Sequence, residues 1–162
     1  MKIKFFAIGG TIDKVYFDAL SNYQVGPPGI ENIISEARVN FDYEVVSLLQ
    51  KDSLDMTYED RKMIHDAVLQ EDSKHIVITH GTDTMVDTAM ALKAIEDKVI
   101  VLTGAMKPAC FKSSDASFNL GSAVAAVQTL PSGVYIAING RIFDPAKVKK
   151  DRNLMQFTEN LD

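Results

Sequence analysis

The sequence predicts an α/β fold of three layers, in which a mainly parallel sheet lies between helices on both faces. Short apolar runs alternate with amphipathic stretches of helical spacing from the first residues to about residue 143. The runs are apolar throughout, whereas strands of a half-exposed sheet alternate apolar and polar residues. Strands buried on both sides are typical of parallel sheets that helices cover. We therefore expect a single domain with a flavodoxin-like arrangement of strands.

The elements follow one another in regular order. The apolar runs predict parallel strands at residues 3–8, 43–49, 75–79, 99–102 and 134–138. Amphipathic spacing predicts helices at residues 29–38, from Thr57 onward, at 84–96 and at 114–129. Thr57 and Asp60 have the spacing of a capping box, which fixes the start of the second helix. Asn139-Gly140 is typical of a tight hairpin turn, so residues 141–143 are expected to return antiparallel.

Three of the predicted helices have one apolar face each. We expect the inward residues to be Ile30, Ile33, Ile34 and Ala37 in the first helix, Met63, Ile64, Ala67 and Val68 in the second, and Met85, Thr88, Ala89 and Leu92 in the third.

Composition and charge narrow the class of protein. The chain has 162 residues, of which 46% are hydrophobic and 24% charged, as in an ordinary globular domain. The net charge of −5 argues against nucleic acid or an anionic membrane as partner, because both attract clustered Lys and Arg. The one basic cluster, formed by Lys147, Lys149, Lys150 and Arg152, is interpreted as a solvated surface run.

Cysteine content and the apolar runs suggest a compartment. Cys110 is the single cysteine, so no disulfide forms within the chain, which fits a reducing compartment. The N-terminal apolar run is short and leads into Gly9, which favours a first strand over a signal peptide. No run approaches the roughly 20 apolar residues of a membrane span. The expected location is the cytoplasm.

Glycines and polar residues follow four of the predicted strands. These strand ends carry Thr11, Ser53 with Asp55, Thr82 with Asp83, and Thr103-Gly104. Ligands of open parallel sheets bind at the carboxyl ends of strands. Glycines at such ends let the backbone approach a ligand and expose N–H groups to a developing oxyanion. The helix after Asp83 would point its positive end at the same space.

A threonine hydroxyl at one strand end could act as a nucleophile if a base accepts its proton. A neutral lysine beside the hydroxyl could do so. Lys14, Lys107 and the cluster at 147–150 are the candidates, and the sequence does not choose among them.

Other interpretations of these residues stay open. Thr11 could be a turn residue, and Thr82 with Asp83 could cap the next helix. A phosphate-binding turn is less favoured, because the sequence lacks both G-x-G-x-x-G and G-x-x-x-x-G-K-[ST]. His65 and His80 suggest a metal, but no second ligand lies at a typical spacing, so His80 is interpreted as a hydrogen-bonded structural histidine.

Residues 14–28 are predicted as one long irregular stretch directly after the first motif. Loops of this length inside compact domains are often lids or binding loops. With Tyr16, Tyr23 and Gly26, this stretch could cover a site and add a phenol to it.

Six short motifs together resemble the L-asparaginase family of bacterial amidohydrolases. In chain order they are GGTI at 9–12, SNYQVG at 21–26, SLDM at 53–56, HGTDTM at 80–85, GAMKP at 104–108 and SFNL at 117–120. The resemblance extends from the first strand to about Phe157. It identifies residues 1–162 as an N-terminal-type asparaginase domain without the second, C-terminal domain of the common member.

The resemblance implies a role for each matching residue. Thr11 would attack the side-chain amide of L-asparagine, and Tyr23 would close over it from the lid. Thr82, Asp83 and a lysine would form a second triad, with Lys150 as the aligned lysine and Lys149 as the alternative. Substrate would be bound by the α-carboxylate site at Ser53, by Asp83 at the ammonium group, and by Gly10, Gly81, Thr82 and Ala105. The family needs no cofactor and no metal.

Two departures from the family pattern bear on function. In the common members, the second domain of a neighbouring subunit supplies an acidic residue and an asparagine to the site. Leu54 stands where many extracellular members have glutamine. We expect a natural short form of the family, and a piece of a longer protein is the alternative. A homodimer or tetramer is expected, since symmetric oligomers are common.

Three functions remain under consideration. The first is hydrolysis of L-asparagine to L-aspartate and ammonia through a threonine nucleophile and an acyl-enzyme. The second is a non-catalytic module that binds aspartate or asparagine. The third is an amidase for glutamine or another amide.

Overall fold

The computed structural model describes residues 1–160 of the chain. The strands are β1 (Lys2–Gly9), β2 (Lys14–Phe17), β3 (Asn22–Val25), β4 (Asp42–Lys51), β5 (His75–Thr79), β6 (Val99–Thr103), β7 (Gly133–Ile138), β8 (Arg141–Phe143), β9 (Val148–Asp151) and β10 (Gln156–Glu159). The helices are α1 (Ile30–Glu36), α2 (Tyr58–Gln70), α3 (Met85–Ala91) and α4 (Ala116–Thr129).

The described residues form a central sheet with the strand order β4-β1-β5-β6-β7-β8. The first five of these strands are parallel, and β8 returns antiparallel through the Asn139-Gly140 turn, as predicted. Numbered by position in the chain, the parallel strands have the order 2-1-3-4-5, which is the flavodoxin-like arrangement. The order reverses beside β1 and β5, and ligands of such sheets bind outside the strand ends at this switch point.

Helices cover both faces of the sheet, which confirms the three-layer prediction. On one face α2 and α3 bury Ile64, Val68, Met85 and Ala89 against the strands. On the other face α1 and α4 do the same with residues that include Ile34. Among residues 1–160, no helix has both the length and the apolar character that a membrane crossing requires.

Three helices differ in detail from the prediction. α1 ends at Glu36, so Ala37, predicted to face inward, lies outside the helix and is exposed. The capping box at the start of α2 is present, with the Asp60 N–H donating to Thr57 Oγ1 over 3.2 Å. Met63, predicted to face inward, is 48% exposed. The buried face of α2 consists of Asp60, Ile64 and Val68, which are spaced four residues apart, and Met63 lies beside that face. α3 ends at Ala91 rather than near residue 96, since the next turns use shorter hydrogen bonds such as Ile95 N–H to Leu92 O.

Residues 14–28 are not one irregular loop. Strands β2 and β3 pair as an antiparallel hairpin in which Tyr16 lies opposite Tyr23. A second hairpin, β9 with β10, follows the sheet and places Phe157 opposite Lys150. β-branched and aromatic residues favour both hairpins, but exposed two-stranded pairs carry too little apolar pattern to predict from sequence.

The turns after β1 and β5 touch through glycine. Gly10 has φ +86° and ψ −170°, a conformation that side chains with a Cβ rarely adopt. A Cβ on Gly10 would lie 2.3 Å from Gly81 Cα, and one on Gly81 would lie 2.5 Å from Ser53 Cβ. The segments after β1, β4 and β5 are therefore stacked at contact distance, and this stacking brings Thr11, Ser53 and Thr82 to one edge of the sheet.

This contact predicts a large effect of one methyl group. Gly10→Ala is expected to lower the free energy of unfolding by about 3 kcal/mol or more, because it adds backbone strain and a clash with Gly81. Gly121→Ala is the matched control, since a Cβ at that position in α4 meets nothing within 4 Å. The control should gain about 0.5–1 kcal/mol from its better helix propensity. Urea unfolding of both variants tests this, and equal effects would contradict the contact.

Candidate active site

The candidate site lies at the carboxyl edge of the sheet, beside the switch point. Thr11 begins a short 3-10 turn directly after β1, and Ser53 begins another after β4. Thr82 and Asp83 follow β5 and precede α3. Thr82 and Ser53 are buried, whereas Thr11 is half-buried. Among residues 1–160, the Thr11 hydroxyl has no hydrogen-bond partner, so it can meet an incoming group.

A lysine from the second hairpin completes a polar cluster at Thr82. Lys150 Nζ lies 2.7 Å from Thr82 Oγ1 and 3.0 Å from Asp83 Oδ1. The Lys150 side chain is 11% exposed, although it belongs to the basic run interpreted as solvated, so that interpretation is wrong for this residue. Lys149 is exposed, because neighbouring residues of a strand point to opposite sides.

The other candidate lysines lie elsewhere. Lys14 pairs with Asp52 over 2.9 Å, and Lys107 is exposed. The hydrogen bond from Lys14 holds the pKa of Asp52 below its ordinary value, although burial raises it. The structure therefore brings Lys150, among the lysines considered, to a threonine hydroxyl.

Two asparagines hold the second hairpin against the rest of the site. The Asn139 N–H donates to Asn119 Oδ1 over 3.2 Å, and the Phe157 N–H donates to Asn139 Oδ1 over 2.9 Å. Asn119 also donates to Gly104 O over 2.9 Å. These hydrogen bonds connect α4, the turn after β6 and strand β10. The SFNL motif at 117–120 therefore contributes to the site through Asn119, which helps to hold the hairpin that carries Lys150.

Arg152 adds a second cation that the sequence analysis missed. Its Nε lies 3.2 Å from Asp83 Oδ1, the same oxygen that Lys150 contacts. The Arg152 side chain is 69% exposed and lies in the turn between β9 and β10. The signal in the sequence was its place in the basic run, two residues after Lys150.

Among the described residues, Tyr23 contacts other aromatic rings and forms no hydrogen bond with Thr11. Its ring lies 5.5 Å, centre to centre, from Tyr16 and also 5.5 Å from Phe111, with edge-on geometry. The side chain is 47% exposed. Tyr16, Tyr23 and Phe111 therefore form an aromatic cluster. This cluster holds the β2–β3 hairpin against the loop after β6.

The remaining predicted binding residues lie around the glycine contact. Ser53 is packed under Gly81, and Ala105 is buried in the turn after β6. Leu54, next to Ser53, is 63% exposed and offers no polar group. Gly10 donates its N–H to Lys51 O over 2.9 Å, which fixes the strand end that precedes Thr11.

Asp13 is a second residue that the sequence analysis missed. Its carboxylate is 3% exposed and accepts the Gly29 N–H over 2.8 Å, at the start of α1. Its backbone carbonyl accepts the Gly26 N–H, also over 2.8 Å, at the base of the β2–β3 hairpin. Burial raises the pKa of Asp13 to about 7, more than the hydrogen bond from Gly29 lowers it. An acidic residue inside an apolar stretch was the available signal.

His80 is a structural histidine, as predicted. It is fully buried, with Nδ1 2.7 Å from Gly81 O and Nε2 2.9 Å from Thr88 Oγ1. Burial lowers the pKa of His80 to about 4, so the ring is neutral at pH 7 and supports the turn before Thr82. Within the described part of the chain, no three His, Cys, Asp or Glu side chains are grouped to hold a metal ion.

Known proteins resemble this chain over nearly its whole length. The sequence model of the family described as "Asparaginase, N-terminal" matches residues 2–156. L-asparaginase 2 of Escherichia coli (strain K12) is 35% identical over 161 residues, which cover 91% of this chain and 46% of that protein. A glutaminase-asparaginase of Acinetobacter glutaminasificans is 39% identical over 98 residues, 57% of this chain and 30% of that protein.

Solved structures show the same likeness. The thermostable L-asparaginase from Thermococcus kodakarensis superposes with a TM-score of 0.85 at 29% identity, covering 98% of this chain and 51% of that one. The chain thus spans about half the length of the relatives that it matches.

The burial of Asp13 predicts a pH-dependent stability. The ordinary pKa of 3.8 applies to the unfolded chain and a pKa of about 7 to the folded one. The folded state therefore holds the proton more tightly, and the free energy of unfolding falls as pH rises from about 4 to 7. Asp13→Asn keeps an acceptor for Gly29 without this titration, so it should gain roughly 2–4 kcal/mol over the wild type between pH 4 and pH 8.

Urea unfolding at several pH values measures this difference. Asp18→Asn, in the exposed turn of the β2–β3 hairpin, is the control and should retain the pH dependence of the wild type. Parallel curves for wild type and Asp13→Asn would show that the Asp13 carboxyl titrates alike in both states.

Proposed function

We propose that this chain, which belongs to the asparaginase family, hydrolyses the side-chain amide of L-asparagine to L-aspartate and ammonia. One observation carries the proposal. Lys150 contacts both Thr82 and Asp83 across 67 or more positions of sequence. The turn that holds Thr82 contacts the turn that holds Thr11 through Gly81 and Gly10. A largely buried lysine between a hydroxyl and a carboxylate is suited to nucleophilic chemistry when a second hydroxyl lies at the same sheet edge, and among residues 1–160 that hydroxyl, on Thr11, has no hydrogen-bond partner.

The charges of the site fit a zwitterionic amino acid. The α-ammonium group needs an anion, for which Asp83 is the candidate. The α-carboxylate needs donors, for which the Ser53 hydroxyl and the N–H groups of the strand ends are candidates. Binding at both ends would hold the side-chain amide over Thr11, and such positioning lowers the barrier by removing the freedom of a loose encounter.

The proposed reaction has two steps. Thr11 Oγ attacks the amide carbon, the C–N bond breaks and ammonia leaves, which forms an ester on Thr11. Water then attacks the ester carbon and releases aspartate with the Thr11 hydroxyl restored. Thr82 and Lys150 would relay the proton, and N–H groups at the strand ends would stabilise the oxyanion of each step.

The β2–β3 hairpin is the proposed lid. Its aromatic residues Tyr16 and Tyr23 are exposed, and its base is attached at Asp13, two residues after Thr11. A movement about this base would carry Tyr23 away from Phe111 and toward Thr11. Such closure excludes water and completes a site once substrate is bound.

Glutamine is a second candidate substrate. The Acinetobacter relative is named a glutaminase-asparaginase. The exposed apolar Leu54 beside Ser53 leaves space without a polar contact that would select a substrate length. Rates with L-asparagine and L-glutamine, measured side by side, decide between the two amides.

The nucleophile is tested by a substitution of equal shape. Purified protein should release ammonia from L-asparagine, and Thr11→Val should lower the rate by about 10³-fold or more, because it removes the attacking oxygen. Circular dichroism checks that the variant is folded. Absence of ammonia release from the wild type would contradict the hydrolase, and calorimetric binding of aspartate without turnover would instead support a binding module.

The proton relay is tested by two neighbouring lysines. Lys150→Met removes the amine beside Thr82 and should lower kcat by about 10²–10⁴-fold, the range of proton-transfer catalysis. Lys149→Met is the matched control on the exposed side of β9 and should leave kcat within about twofold, as surface charges far from reacting atoms have little effect. Equal losses in both variants would contradict the relay.

A further inference from the structure

We infer that Arg152 is a specificity-determining residue, whose guanidinium weakens the binding of a substrate ammonium group at Asp83. The inference rests on the proposed function, because it concerns the substrate of that same site. It extends that function by stating which chemical group of the substrate the site disfavours.

The starting point is the number of cations at one carboxylate. Lys150 Nζ and Arg152 Nε lie 3.0 Å and 3.2 Å from the same atom, Asp83 Oδ1. Asp83 supplies one negative charge against two positive charges. An ammonium group that approaches the other oxygen of Asp83 would therefore be the third cation at a carboxylate whose charge Lys150 already balances.

No second acid forms an ion pair with either cation in the part of the chain that the structure describes. Asp52 is near enough to Lys150 for the lysine charge to lower its pKa, but its ion pair, over 2.9 Å, is with Lys14. Within residues 1–160, Asp83 is the one carboxylate within ion-pair distance of either Lys150 or Arg152. Asp151 lies between them in sequence, but its carboxylate accepts the N–H groups of Asn153 and Leu154 over 2.9 Å and 3.1 Å. Those bonds shape the β9–β10 turn and direct Asp151 to its own backbone.

The two cations differ in how firmly they are held. The Lys150 side chain is 11% exposed and also contacts Thr82, whereas 69% of the Arg152 side chain is exposed. Of the two cations at Asp83, Arg152 is therefore the one that can be substituted without disturbing buried contacts. Because water screens an exposed charge, its effect on a neighbouring ammonium should be modest, about three- to tenfold in affinity, and should fall as salt is added.

The substrate class follows from this charge. Arg152 does not disfavour a ligand that keeps the carboxylate and the amide but has no α-ammonium group. Succinamate, the des-amino analogue of asparagine, is such a ligand, and succinate is the corresponding analogue of the product. We expect the site to prefer asparagine over succinamate by a smaller ratio of affinities than it would if Arg152 were absent.

The experiment compares these ligands in matched variants. Arg152→Gln should lower KM for L-asparagine by about three- to tenfold and leave KM for succinamate unchanged or higher. Arg152→Lys keeps the charge and should behave as wild type. Arg141→Gln is the control, because Arg141, on the edge strand β8, is also exposed and forms its ion pair with Glu159 rather than with Asp83. The gain in Arg152→Gln should shrink at high salt.

Calorimetry with L-aspartate and succinate gives a readout that does not need turnover. If no ammonia is released but Arg152→Gln binds aspartate more tightly and succinate no more tightly, the proposed hydrolysis fails and the inference stands. Equal changes for both ligands, no change for either, weaker binding of asparagine or aspartate, or no binding of any of the ligands would overturn the inference.

Discussion

The site depends on the close contact of three backbone segments that leaves no space for a side chain. Gly10 and Gly81 approach until a methyl group on Gly10 would overlap the Gly81 backbone, and Gly81 lies equally close to Ser53. This contact lies at the switch point, where the strand order reverses beside β1 and β5. Thr11, Ser53 and Thr82 are close to one another because the residues beside them have no side chain or only a small one.

A second constraint is electrostatic and comes from outside the sheet. The β9–β10 hairpin carries Lys150 to Thr82 and Asp83. Hydrogen bonds from backbone N–H groups to the side-chain oxygens of Asn139 and Asn119 hold that hairpin in place. A lysine with 11% exposure requires a carboxylate nearby, and Asp83 fulfils that need while remaining partly accessible to solvent. The candidate triad is therefore a stabilising contact for the second hairpin as well as the proposed chemical centre of the site.

Asp13 connects the site to the part of the molecule proposed to move. Through one residue, the turn of Thr11, the base of the β2–β3 hairpin and the start of α1 are joined by hydrogen bonds. Burial destabilises the charged form of this carboxyl and raises its pKa to about 7. The aromatic contacts of Tyr23 with Tyr16 and Phe111 then set the resting position of the hairpin above this anchor.

Most of the sheet and the strand-end motifs could be predicted from the sequence, because continuous apolar runs define buried parallel strands and glycine marks their ends. The motif order also predicts Thr11, Thr82 and Asp83 as site residues. The two exposed hairpins, the burial of Asp13 and the contact of Arg152 with Asp83 required the tertiary structure. The choice of Lys150 over Lys149 also required the tertiary structure. Both positions are lysine, and only the pairing of β9 with β10 determines which of the two side chains faces the site. Local pattern determines which residues are buried in strands, whereas long-range pairing determines which charged side chains meet.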